Sequence, residues 1–167
     1  MLAALLEHVA PQAEIVDAIP WRTIRKDRAG DGASAEARNV LGLANRARDH
    51  GCDTVVFARD RDGSKQRQSD IAKGLEQAAE IFADLHVVGA VAIETIEAWV
   101  LALLGHPEPE TVGKPKKERL DGHGIVSWSD MAAAVANARP DERVRACAPR
   151  LQAWLARAER RAGNAAR

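Results

Sequence analysis

An α/β domain with a mostly parallel sheet, helices on both of its faces and a C-terminal helical appendage is what the sequence predicts, on three observations. Val55, Val56, Phe57 and Ala58 are apolar without alternation, and so is most of the stretch from His86 to Ile93. Strands of this kind are covered on both faces, as in parallel sheets between helix layers. Between them, Ile71, Leu75, Ala78 or Ala79, and Phe82 recur at helical spacing, as a crossover helix requires. The chain has 167 residues, 46% of them hydrophobic, with four Trp, which suffices for one domain with a core and not for two comfortable ones.

Met1 to Val9 opens the chain as a helix, with Leu2, Leu5, Leu6 and Val9 on one face and Pro11 just beyond. Glu14 to Ile19 alternates weakly and fits a short strand. Trp21 to Gly32 is basic and glycine-containing, a loop carrying Arg22, Arg25, Lys26 and Arg28. Ser34 to His50 places Val40, Leu43, Ala44 and Ala47 at helical spacing and stops at Gly51, the residue type favoured just past a helix. A strand from Asp53 to Ala58, a helix from Gln66 to Ala83 and a strand from His86 to Ile93 follow, and a further helix begins after Glu94. Gly105 to Gly124 shifts to Pro, Gly and Lys, with Lys114, Lys116, Lys117 and Arg119 clustered, and has the composition of a loop or lid. Ser129 can cap a helix through about Ala138. A last amphipathic helix runs from about Arg150 with Leu151, Trp154, Leu155 and Ala158 inward, and the tail from Arg160 is expected to fray. The expected organisation is a core over 1–104, the basic loop over 105–124 and a helical part over 125–167 packed on the core.

Lys plus Arg equals Asp plus Glu at 24 each, so attraction to nucleic acid has to come from local clusters, which argues against a coating-type DNA binder. Cys52 and Cys147 stand far apart with no CxxC and no His at ligand spacing, the pattern of reduced, inert thiols. No apolar run is long enough to span a bilayer and the first residues lack the basic segment of a signal peptide, so a cytoplasmic protein with no membrane partner is expected. Neither phosphate-loop pattern, GxxxxGK[ST] or GxGxxG, occurs, and there is no nucleophile elbow. His106 and His123 are expected to be exposed, and Trp128 and Trp154 to be core or interface anchors.

Chemistry concentrates at two acidic motifs. The run from Thr54 to Gly63 ends in Asp60 and Asp62, and residues i and i+2 of an extended segment point the same way, so the two carboxylates converge. Their repulsion is relieved by a cation, and oxygen-only ligation suits Mg²⁺ or Mn²⁺. Equally, the segment fits a solvated turn whose Asp side chains bond the backbone beside Gly63. The second motif sets Glu94 and Glu97 three apart after a strand. Glu97 projects at the edge of an arc made by Ile93, Ile96, Val100, Leu103 and Leu104, so it is partly buried and needs an Arg, a helix N-terminus or a metal to neutralise it. Arg59, Arg61, Lys65 and Arg67, with Lys116 and Lys117 from the basic loop, are candidate phosphate-binding groups. Any one of them could instead lie on a solvated face or pair with a neighbouring Asp.

The segment from Val55 to Gly63, then Ala92 to Ala102, and finally Val144 to Leu155 together resemble the TOPRIM-related bacterial domains of unknown function, family 4276, over roughly Ala35 to Ala158. The order and spacing of the three blocks carry the resemblance. It implies a TOPRIM/Rossmann-like fold in which an Asp-x-Asp, here Asp60 and Asp62, and a downstream acidic block, here Glu94 and Glu97, bind Mg²⁺ for phosphodiester chemistry. The family's first strand, ending in Glu-Gly, has no counterpart, and Met1 to Val9 matches the helix that should follow it. Either the chain starts late or its sheet is altered, and in the second case full TOPRIM-type cleavage is in doubt.

Two functions therefore compete. One is a Mg²⁺-dependent nuclease or related phosphodiester-processing enzyme with Asp60, Asp62 and Glu97 catalytic, nucleic acid as substrate and a place in phage defence. The other is a non-catalytic binding or assembly module working with a partner ATPase. A sheet lacking a central strand leaves an open edge, which predicts a homodimer.

Overall fold

The computed structural model describes residues 1–25, 33–93, 95–111, 120–138 and 140–165, except the side chains of 143, 145 and 161–165. Seven α-helices and two strands follow one another along these residues: α1 (Leu2–Val9), α2 (Ala35–Asp49), β1 (Thr54–Asp60), α3 (Lys65–Ile81), β2 (His86–Ala92), α4 (Glu97–Leu103), α5 (Trp128–Asn137), α6 (Glu142–Cys147) and α7 (Pro149–Ala165). Short 3₁₀ turns occur at Trp21–Thr23, Pro109–Thr111 and Asp121–His123. The protein is mixed α/β, and no described helix is long and apolar enough to cross a membrane.

Local chemistry accounts for the element ends. The Ser34 hydroxyl accepts from Ala37 N–H at 3.2 Å and starts α2, and Ser64 does the same for Arg67 N–H at 3.2 Å at α3. At α5 the cap is Ser127 and not Ser129, because Asp130 reaches back to Ser127 N–H at 2.9 Å while Ser127 Oγ accepts from Asp130 N–H at 3.1 Å. This reciprocal capping box satisfies two orphan donors together. Asp141 starts α6 by accepting from Val144 N–H at 2.9 Å, and α7 continues to Ala165.

β1 and β2 pair side by side in parallel: Asp53 C=O accepts from His86 N–H at 2.9 Å and, further along both strands, Ala92 C=O accepts from Arg61 N–H at 3.0 Å. Two strands make up the sheet among the described residues, fewer than expected. Glu14 to Ile19 forms no strand. Ile15 and Val16 stand 47% and 56% exposed, and Asp17 is taken up by Arg46 at 2.8 Å. Weak alternation without a neighbouring strand offers no ladder to satisfy the backbone. β2 is buried along most of its length, whereas β1 is fully buried only at Phe57 and half-buried elsewhere, so the expectation of two covered faces is met more completely by β2 than by β1.

Contacts group the chain into two compact units. One comprises Glu14–Phe57 and Ser64–Gly89, the other Met1–Ala13, Ala58–Gly63 and Ala90–Arg167. In the first, α2 packs on α3, where Gly74 lets the backbone come against Ala37 and Val40. A side chain at Gly42 would meet the Arg25 carbonyl oxygen at 2.0 Å, so the segment after the Trp21 turn is pressed onto α2. Arg48 lies 5.0 Å over the Phe82 ring.

In the second unit, α1 packs on α5 and α7, and α4 on α5 and α6. Ala98, Trp99, Val100, Leu101 and Ala102 of α4 are all buried, as befits a helix apolar on every side. Trp99 and Trp154 meet at 6.0 Å and 45° in this core, beside Leu5, Val135, Leu151 and Leu155. His8 Nε2 donates to Val135 C=O at 2.7 Å and fastens the end of α1 to α5. Trp154 is thus a core residue, whereas Trp128 is 61% exposed.

Candidate carboxylate site

β1 delivers Asp60 as its last residue, and the ladder closes one residue later at Arg61 N–H. The chain then turns. Asp62 has φ +48° and Gly63 φ +71°, both left-handed, so Asp62 is not extended and is exposed. The alternation that sets positions i and i+2 on one side ends with the strand at Asp60 and does not reach Asp62. A left-handed Asp beside a glycine is the local signature of a tight turn.

The carboxyl end of β2 is tied to this point. Thr95 N–H bonds Ile93 C=O at 2.9 Å in a tight turn, and Ile96 N–H donates to Asp60 Oδ1 at 2.7 Å. Glu97 follows as the first residue of α4 and is half-buried. Asp60 therefore sits in a negative field. Burial raises its pKa most, the Ile96 hydrogen bond works against that, Glu97 and then Asp62 add repulsion, and Arg59 partly offsets them. Two of the other predicted carboxylates, Glu97 and Asp62, thus act on Asp60.

The remaining candidates divide. Arg59 and Arg61 are half-buried, and Arg59 is near enough to act on Asp60. Lys65 and Arg67 belong to the other unit. Lys65 is exposed, and Arg67 Nε donates to Glu36 at 2.8 Å, both side chains less than one-fifth exposed. Glu36 also accepts from Trp21 Nε1 at 2.9 Å, so this carboxylate organises a pair and an indole. Glu94, Lys116 and Lys117 lie outside the described residues. Among the described residues no three His, Cys, Asp or Glu side chains stand close enough to hold one metal ion.

Glu110 escapes sequence reasoning. It lies in a Pro- and Glu-rich turn that reads as exposed, yet it is only 8% exposed. Its Oε1 accepts from Arg150 N–H at 3.2 Å, with Leu151 N–H beside it and the Trp99 indole facing it without closing a hydrogen bond. Ala148, which precedes α7, has no side-chain oxygen to cap the helix, so a carboxylate forty positions away does so. Burial raises the Glu110 pKa, against the pull of the helix N–H groups. No signal short of the three-dimensional contact marks this residue.

Elsewhere in the same unit a cavity of about 330 Å³ is lined by Ala102, Gly105, Pro107 and Val144, with His106 and Cys147 at its wall. His106 is half-buried and not exposed as expected, while His123 is exposed. His106 Nδ1 accepts from Glu108 N–H at 3.3 Å. Cys52 and Cys147 are free thiols, both half-buried.

Comparison with models of protein families, with curated proteins and with solved structures yields no match.

Proposed function

We propose that Asp60, Asp62 and Glu97 are the acidic centre of a TOPRIM-type phosphodiester-processing protein, a Mg²⁺- or Mn²⁺-dependent nuclease serving in phage defence. The observation behind this reading is Asp60, a half-buried carboxyl fixed by Ile96 N–H under the negative charge of Glu97 and Asp62. Oxygen-only donors suit a hard divalent cation in type. In the positions described they do not form a three-ligand shell, so the reading requires Asp62 and Glu97 to close on Asp60 or Glu94 to complete the set. When bound, such a cation polarises a phosphoryl oxygen and lowers the pKa of a water. The protein's own part is to orient Asp60 through Ile96 and to present Arg59 and Arg61 as phosphate neutralisers.

The finer fold belongs to the same proposal. The strand pair is read as the core of a TOPRIM/Rossmann-like sheet with helices on both faces, whose open edge a second copy of the chain covers in a homodimer. Sedimentation giving a monomer at micromolar concentration contradicts that dimer.

A second reading, a non-catalytic module that assembles with a partner ATPase, is favoured by two observations: no three described donors gather on one point, and Arg67 is committed to Glu36. Incubation of labelled DNA and RNA with Mg²⁺ or Mn²⁺ separates the two. Cleavage by the wild type, lost in Asp60→Asn, supports the enzyme; no cleavage of either substrate by the folded wild type leaves the module.

A further inference from the structure

Thr95 stands in the tight turn between β2 and α4, next to the residue whose N–H holds Asp60. Its Oγ1 is shut off from solvent and finds no hydrogen-bond partner among the described residues. A threonine just ahead of a helix ordinarily uses its hydroxyl to cap the helix. Here the nearby donors are taken. Ile96 N–H donates to Asp60 Oδ1 at 2.7 Å, and Ala98 N–H donates to the Thr95 main-chain carbonyl at 3.2 Å. A buried hydroxyl without a bond has lost its hydration and gained nothing in exchange, and such an atom in a folded protein calls for a ligand.

Its place in the fold narrows the choice. Thr95 and Asp60 belong to the same compact unit, and one peptide bond separates Thr95 from the N–H that Asp60 accepts. Covalent geometry therefore keeps Oγ1 within about 7 Å of Asp60 Oδ1 in every rotamer. Two oxygens bound to one Mg²⁺ or Mn²⁺ stand about 3–4 Å apart, a separation inside that reach. Glu97 follows two residues later, as the first residue of α4. We propose that the Thr95 hydroxyl is a ligand of a divalent cation held at Asp60, the neutral oxygen of an otherwise anionic set. Hard cations accept hydroxyl oxygens as well as carboxylates, as Mg²⁺ does from the Ser or Thr of phosphate loops. A neutral donor adds coordination without adding to the repulsion among carboxylates. The inference rests on the cation reading of Asp60 given above, and adds a ligand that neither acidic motif supplies as a carboxylate.

The test combines thermal melting with calorimetric titration of Mn²⁺ into the whole chain, for the wild type and for Thr95→Val, Thr95→Ser and Asp60→Asn. Valine keeps the shape of the side chain and removes the oxygen. In EDTA, Thr95→Val should melt as high as the wild type or up to about 4 °C higher, because no hydrogen bond goes with the hydroxyl. The wild type should bind Mn²⁺, Thr95→Val at least about tenfold more weakly, and Thr95→Ser within about threefold of the wild type. Equal affinity in Thr95→Val and the wild type, with loss in Asp60→Asn, overturns this proposal and leaves the cation at Asp60 standing. No Mn²⁺ binding by the folded wild type overturns both. Thr95→Ser as weak as Thr95→Val assigns the effect to the methyl group and overturns the proposal. So does a Thr95→Val chain that melts well below the wild type in EDTA, since the hydroxyl then serves the fold.

Discussion

Asp60 is held by a hydrogen bond that favours its charged form and by surroundings that oppose it, and opposition wins because burial and two neighbouring carboxylates act together. Its folded-state pKa lies above the ordinary value of 3.8. The stability linked to this group is therefore fully present below about that pH and is lost as pH rises through the raised value. Asp60→Asn keeps an oxygen for Ile96 N–H and removes the charge. Its melting temperature relative to wild type should rise from about pH 3.8 upward and level off once Asp60 is ionised; a difference that stays flat with pH contradicts the clustered field. Glu110 follows the same sign for the same first cause. Glu110→Gln, which retains an acceptor for Arg150 N–H, should lose little at neutral pH. Glu110→Ala should lose about 1–2 kcal/mol in urea unfolding, because the first turn of α7 is left without its cap. Equal losses in the two variants would mean that capping is not what Glu110 does.

At the scale of elements, α2 illustrates a contest between propensity and packing. Alanine in a helix interior is better than glycine by up to about 1 kcal/mol, but at Gly42 the added carbon would sit 2.0 Å from the Arg25 carbonyl oxygen. Backbone cannot yield cheaply, so Gly42→Ala should lower stability by roughly 1–3 kcal/mol; a gain measured by denaturant unfolding would show that the Arg25 segment does not press on α2. Much of this level is legible in the sequence. The runs around Val55 and Val88 are strands, and Ile71, Ala78 and Phe82 are buried within the span of the expected helix, Phe82 just past the end of α3. What stayed hidden depends on contacts. The start of α5 at Ser127 needs Asp130 to complete the box, and the α6 turn hangs on Asp141. The stretch around Ile15 shows alternation, but no strand lies beside it to make it a strand.

For the whole molecule, an even charge balance leaves function to local clusters, and the carboxylates where β1 and β2 end form one. From the sequence, Asp60, Asp62, Glu94 and Glu97 are candidate ligands of a divalent cation, but the bond from Ile96 that joins the two motifs, and the left-handed turn that re-aims Asp62, follow only from the folded backbone. The central claim is that these carboxylates share a divalent cation. Calorimetric titration of Mg²⁺ and Mn²⁺ into the wild type and into the Asp60→Asn, Glu97→Gln double variant tests it most directly. The account predicts saturable binding of one ion per chain in the wild type and its loss in the variant. No binding by the folded wild type, or equal binding by both, would contradict it.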